Sequence, residues 1–241
     1  CVARSADEYC DIPPPPFASI IKMNNLVEEV YLRHKSFWSK ENVWLWLTGI
    51  FLLFTALFVQ RLAYLYIDNY ITGVPVGDLL LDNLPTVNLD FFIIQGALVA
   101  TSFTLIFLLL HPNYLPFTTK TLALFIFIRS FFISLTNLGV NLHQITLNTD
   151  SAGFGIYEFL YYGKNDFFFS GHVGASFLLA LIFWNKKSWR NLFLIACVIF
   201  AVSMILAHMH YSIDIFAAPF IVFSIYVIAK TLFKKDFALI L

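Results

Sequence analysis

The chain is short of charge. Asp, Glu, Lys and Arg make up 12% of its 241 residues, and the 15 cations balance the 15 anions. A soluble domain carries about twice that charged fraction. The neutral balance, with a sequence pI near 7.2, leaves no basic surface for nucleic acid. The 3 cysteines exclude a disulfide framework. Cys1 and Cys10 lie in a polar stretch where they could pair under oxidising conditions, whereas Cys197 sits in an apolar run as a small core residue. No internal repeat is visible. The first residue is Cys1 rather than methionine, so the sequence carries no information on a leader segment.

What is abundant is apolar. The hydrophobic fraction is 59% and the mean hydropathy +0.77, values that belong in a bilayer. Six segments are long enough to span one, near 43–65, 89–111, 118–139, 168–185, 190–209 and 213–233. Residues 1–41 are different. Pro13 to Pro16 form a stiff linker. The stretch after Ser19 then sets Ile20, Met23, Val27 and Val30 against Lys22, Asn25, Glu28, Glu29 and Arg33. That pattern gives an amphipathic helix, either lying in the membrane interface or docked on the bundle. The expected architecture is an all-α integral membrane protein. It has an N-terminal tail with an interfacial helix over 1–41 and a six-helix transmembrane catalytic domain over 42–241.

Charge orients the chain. Arg33, Lys35, Lys40, Lys120, Lys186, Lys187, Arg190, Lys230, Lys234 and Lys235 fall on one side of the six spans, and only Arg61 and Lys164 on the other. The excess of cations on cytoplasmic loops predicts that both termini are cytoplasmic. With that topology, Ser170-Gly171-His172 and His210-Tyr211-Ser212-Ile213-Asp214 meet at the opposite face, which is exoplasmic, lumenal or periplasmic.

Ionisable groups are costly in a membrane, so two such patterns at one rim point to chemistry. His210 and Asp214 are four apart and touch if they share a helical turn; in a loop, contact depends on its geometry. A carboxylate on one imidazole nitrogen fixes the tautomer and makes the other nitrogen a nucleophile or base. His172 suits proton transfer to a leaving alkoxide. Ser170, Gly171 and the amides that follow make an anion cradle at a helix start. These parts suffice for phosphoryl transfer through a phosphohistidine without metal or cofactor. A metal site built on His208, His210 and Asp214 is the other sharp reading, although His208 and His210 fall on different faces of a helix.

The run from Asp166 through three phenylalanines to Ser170-Gly171-His172 resembles one motif of the sphingomyelin synthases. Ala207-His208-Met209-His210-Tyr211-Ser212-Ile213-Asp214 resembles the second, and Arg129 with Ser134 to Leu138 resembles their arginine-bearing third helix. The chain thus resembles that family, within the type 2 phosphatidic acid phosphatase (PAP2) superfamily, over roughly residues 78–225. The resemblance implies a six-helix fold, with His210 as nucleophile, Asp214 as its partner and His172 as acid and base. Arg129, Asp166, Ser170, Gly171 and Tyr211 are the substrate-binding candidates. Its implied substrates are a phospholipid donor and a lipid alcohol acceptor, ceramide or diacylglycerol, with a homo-oligomer as a further possibility. The chain departs from the synthase pattern at Lys164-Asn165, Met209 and Val173.

The superfamily's phosphatases carry an arginine where this chain has Met204. A phosphomonoester carries close to two negative charges and favours bidentate arginines, whereas a diester carries one. The scarcity of arginine favours a diester donor and headgroup transfer. Arg129 with Lys164 could instead hold a monoester, which would make the chain a lipid phosphatase or a phospholipase C-type hydrolase. Tyr157, Tyr161, Tyr162 and Phe167 to Phe169 form either an interfacial belt or a cage for a quaternary amine. Arg129 is expected to reach a phosphate or to pair with a carboxylate such as Glu158. Asp166 is expected to cap a helix or to meet a cationic headgroup.

Overall fold

The computed structural model describes residues 16–70, 73–161 and 166–241, without the side chains of 16–26 and Lys40. Expectations for Cys1, Cys10, Pro13 to Pro15, Tyr162, Lys164 and Asn165 lie outside the described residues, as do those for the side chains of Ile20, Lys22, Met23 and Asn25.

Nine α-helices make up the described chain: α1 (Pro16–Phe37), α2 (Lys40–Tyr70), α3 (Asp90–Leu110), α4 (Leu115–Leu135), α5 (Phe154–Tyr161), α6 (Gly171–Ile182), α7 (Lys187–Leu206), α8 (Ser212–Leu232) and α9 (Lys234–Ala238). A 3-10 turn, Pro112–Tyr114, joins α3 to α4. Among the described residues there is no strand, only an isolated parallel bridge between Val74 and Leu138. The chain is an all-helical membrane protein. Its outer faces carry exposed Phe51, Phe54, Phe58, Leu105, Leu109, Val198 and Phe220, as lipid contact requires.

Among the described residues five helices, not six, are long and apolar enough to cross a bilayer: α2, α3, α4, α7 and α8. The sixth expected span is α6, with only 12 residues, about 18 Å against a hydrocarbon core of about 30 Å. Its start is set by backbone geometry. Phe168 and Phe169 have φ of 97° and 24°, a left-handed region that bulky residues avoid, so no helix extends N-terminal of Ser170. Non-helical backbone at this depth is tolerated because it is enclosed by protein: Asp166, Phe167, Phe169 and Ser170 are all buried. Helix α6 is itself the centre of the bundle, packed on α7 and α8 and touching α4 and α3.

Helix α2 packs along α4. Gly49, Ala56 and Ala63 recur at every seventh position on its buried face, and small residues at that spacing let two backbones approach closely. The approach is tight enough that a Cβ on Gly49 would fall 2.2 Å from Thr119 Oγ1. Helix α2 runs on to Tyr70, beyond its expected end, because Tyr64 and Ile67 continue the buried face.

The described termini gather at one end of the bundle. Arg33 of α1 donates to the carbonyl of Leu110 at 3.2 Å and meets His111 Nδ1 at 2.8 Å, and His34 Nε2 lies 2.7 Å from the carbonyl of Leu109. Helix α1 is therefore docked on the bundle through this edge, while Val27, Tyr31 and Leu32 stay exposed. Lys120, one of the cations used to orient the chain, is buried there and paired with Asp236 of α9 at 2.7 Å. Its charge is spent inside the protein. The starts of α3, α6 and α8 and the end of α7 form the other end, which holds His172 and His210.

Candidate active site

Helix α7 stops at Leu206 and α8 starts at Ser212, so His210 sits in the turn between them. The turn is shaped by His208, whose φ is 54°. It is held by its own backbone and by two remote loops: Met209 N–H donates to the carbonyl of Met204 at 3.0 Å, Val87 to Leu206 at 2.8 Å and Ile145 to Ala207 at 3.1 Å. These bonds satisfy carbonyls that the end of α7 leaves open. The turn brings His210 Nδ1 to 3.3 Å from Asp214 Oδ2, with both residues buried. With Nδ1–H donating to the carboxylate, Nε2 carries the free lone pair.

The second pattern is tied to the first through backbone. Ser170 N–H donates to the carbonyl of Asp214 at 3.0 Å. Ser170 is the N-cap of α6, yet its hydroxyl makes no cap bond and no other bond. His172 Nε2 and Asp214 Oδ1 are likewise buried without a hydrogen-bond partner. Three buried polar side chains with unused hydrogen-bonding capacity thus surround the start of α6, where the amides of Gly171, His172 and Val173 have no carbonyl one turn earlier.

The ring of His172 is held by aromatics. Tyr157 and Tyr161 of α5 stack obliquely on it with centroids at 5.7 and 5.4 Å, and Phe200 of α7 meets it edge-on at 5.3 Å. Tyr161 is fixed in turn through its hydroxyl to Thr101. Of the aromatic cluster beside the site, Tyr157 and Tyr161 pack on this imidazole, while Phe167 meets His210 and Tyr211.

Arg129 pairs with Asp166, not Glu158. Arg129 Nη2 is 2.6 Å from Asp166 Oδ2, Nη1 donates to Tyr64 Oη at 3.2 Å, and Nε to the carbonyl of Phe169 at 3.3 Å. Tyr64 also donates to Asp166 at 3.2 Å, and Gln60 Nε2 to Tyr64 at 2.9 Å. Asp166 thus serves the guanidinium through Oδ2, the cap position of α6 belongs to Ser170, and Asp166 Oδ1 stays without a partner. The guanidinium lies against Gly171: a Cβ there would fall 3.1 Å from Arg129 Cζ. Holding two aromatic residues at positive φ costs about 1–3 kcal/mol each. The Arg129 bond to the Phe169 carbonyl is one of the contacts that fixes them.

Tyr211 is buried, and its hydroxyl is engaged by backbone. It donates to the carbonyl of Gly139 at 2.8 Å and accepts from Val76 N–H at 3.2 Å. Gly73 and Gly139 are in backbone contact, with a Cβ on Gly139 falling 2.3 Å from the Gly73 carbonyl oxygen. Asp78 is a site residue that the sequence reading missed. Its Oδ2 accepts from Ser212 N–H at 2.7 Å, capping α8 from a loop more than a hundred residues away. Burial works to raise this carboxyl, but the amides of Ser212, Leu81 and Leu80 outweigh it and hold it below the usual 3.8. His208 turns away from Asp214, to Thr86 Oγ1 at 3.3 Å and the ring of His143. Among the described residues no three His, Cys, Asp or Glu side chains gather as a metal site would need. Met204, at the phosphatase arginine position, is buried in the core.

Residues 165–231, which include His172, His210 and Asp214, match the model of the family described as PAP2 superfamily C-terminal. The match covers less than half of the chain and makes its C-terminal part similar to the PAP2 superfamily, whose members are generally phosphatases and phosphotransferases. Compared with curated proteins, the chain has no match.

Proposed function

We propose that the chain is a sphingomyelin synthase-like phosphotransferase, moving a phospho-headgroup from a glycerophospholipid to a lipid alcohol such as ceramide or diacylglycerol. The observation that carries this reading is the buried His210–Asp214 contact, with Ser170 bonded to the Asp214 backbone and the buried Nε2 of His172, two residues on, without a hydrogen-bond partner. His210 Nε2 attacks the phosphorus of the donor diester, and the bond from phosphorus to the glycerol oxygen breaks. His172, protonated, gives its proton to that oxygen, and diacylglycerol leaves. The headgroup phosphate is now on His210, with Asp214 offsetting the positive imidazole. The acceptor hydroxyl loses its proton to His172 and attacks phosphorus, and the phosphorus–nitrogen bond breaks. No metal or cofactor enters these steps.

The phosphate lies at the start of α6, against the amides of Gly171 to Val173, the Ser170 hydroxyl and the Arg129 face next to Gly171. Asp166 offsets Arg129, so the site holds little net positive charge, which favours a singly charged diester over a dianionic monoester. Tyr211 keeps the loops around His210 in place. Both termini are cytoplasmic in this reading, and the site opens on the exoplasmic, lumenal or periplasmic face; the distribution of Lys and Arg supports this.

One observation favours a second reading. The same two imidazoles would activate water as readily as a lipid alcohol, giving a lipid phosphate phosphatase or phospholipase C-type hydrolase. Incubation with headgroup-labelled phospholipid and ceramide separates the two. Label in a sphingolipid, lost in His210→Ala, is the expected result. Free phosphate released from phosphatidic acid, with no labelled sphingolipid, would replace transfer by hydrolysis.

A further inference from the structure

Helices α3 and α7 do not close on each other along their outer side. Between them lies a groove of about 190 Å³ with an apolar wall. Gly96 and Ala100 of α3 and Ala196 of α7 are the small residues that open it, and Val99 and Ile199 on its rim are exposed. Both walls are candidate membrane spans, so the groove opens to lipid. It follows α3 from Phe92 to Phe103, about 16 Å of helix, close to the ~15 Å depth of one leaflet's hydrocarbon. Its upper end lies just inside the start of α3, at the end of the bundle that holds the histidines.

One ring separates the groove from the reacting centre. Phe200 lines it, is buried, and meets His172 edge-on at 5.3 Å. Gly96 makes room for that ring, since a Cβ there would come 3.2 Å from it. A helix is about 10–12 Å across, too wide for this volume, whereas a single methylene chain fits.

We propose that the groove seats one acyl chain of the lipid substrate, with the headgroup at the start of α6 and the chain descending past Phe200 between α3 and α7. This rests on the lipid phosphotransfer reading and adds the path by which the lipid is held.

The test uses the full chain in phosphatidylcholine nanodiscs containing a phosphatidylcholine with a diazirine on its sn-2 chain. After photolysis, adducts are mapped by mass spectrometry. Expected is several-fold enrichment at Val99, Ile195 and Ile199 over exposed Phe51 and Phe54 of α2, falling to the α2 level in Ala196→Trp. Equal labelling of both faces, or enrichment unchanged in Ala196→Trp, overturns the proposal. Ala100→Leu, a smaller filling change, replaces Ala196→Trp should that variant fail to fold. This readout needs no turnover, so a wild type that labels the groove but transfers no headgroup refutes the phosphotransfer reading alone. In an active preparation, Ala196→Trp lowers turnover of a long-chain donor about tenfold relative to a dibutyryl donor. An equal loss on both donors counts against the groove.

Discussion

Ser170 donates its backbone N–H to the backbone carbonyl of Asp214 across 3.0 Å. The two histidine-bearing segments are thus joined by main chain, whatever their side chains do. The Asp78 side chain separately caps α8 at Ser212 and ties the loop after α2 to the His210 segment. Because the scaffold does not depend on the imidazoles, changes at them test chemistry more than folding.

Asp214→Asn keeps the volume and removes the charge that offsets an imidazolium. Turnover is expected to fall about 10²–10⁴-fold with the thermal midpoint little changed. With headgroup-labelled donor, wild type quenched in denaturant carries an acid-labile label and His210→Gln carries none. Label retained on His210→Gln would place the nucleophile elsewhere.

Arg129 and Asp166 are both buried, so removing one leaves a charge without its partner. Asp166→Ala is expected to cost about 3–5 kcal/mol, and the double change Arg129→Met with Asp166→Leu to recover most of it. Denaturation in detergent micelles measures this. The double variant also separates roles: if Arg129 holds the phosphate as well, it folds but transfers no headgroup. Full activity in the double variant would reduce Arg129 to a structural ion.

Most of the helices could be read from the sequence because lipid imposes long apolar runs, and the structure puts α2, α3, α4, α7 and α8 close to the expected spans. Helix α6 was overextended because Phe167 to Phe169 look helical by hydropathy, and nothing in their side chains announces a positive φ. Helices α5 and α9 are too short to show against that apolar background. In the site, His172, His210 and Asp214 were legible because charged groups stand out in apolar sequence. Tyr64 and Asp78 were not. Each acts across a long stretch of chain, Tyr64 on Arg129 and Asp78 on Ser212, and no local pattern records such a contact. The Gln60–Tyr64 pair, four apart on the buried face of α2, was the one available hint. Arg129 could be seen to need a carboxylate, but the choice of Asp166 over Glu158 depends on where the strained Phe168–Phe169 turn delivers it.

Tyr211→Phe deletes one hydroxyl that serves two loops. The Gly139 carbonyl loses its donor and Val76 N–H its acceptor, at an expected cost of about 1–3 kcal/mol. Hydrogen exchange should rise at residues 73–78 and 136–142 while α4 and α6 stay protected. An unchanged exchange pattern with a raised KM would instead assign the hydroxyl to substrate.

His111 gives the docking of α1 a pH dependence. It lies outside the spans, between α3 and the 3-10 turn, and is pushed down to about 4, first by burial and then by Lys186 and Arg33, with Glu29 opposing. In the docked state it is neutral and faces the Arg33 guanidinium at 2.8 Å. Undocking removes the cover and the Arg33 charge that α1 supplies but leaves Lys186, so a histidine lowered by docking binds fewer protons docked than undocked, and its contribution, complete at neutral pH, is lost as pH falls toward about 4. Spin labels at Leu32 and Leu109, both exposed, report the separation of α1 from the end of α3. A narrow distance distribution at neutral pH should broaden across that window, and His111→Gln should flatten the response. A distribution that stays narrow at the acid end in wild type would show that α1 is held without the His111 contact, by Arg33 on the Leu110 carbonyl and His34 on the Leu109 carbonyl.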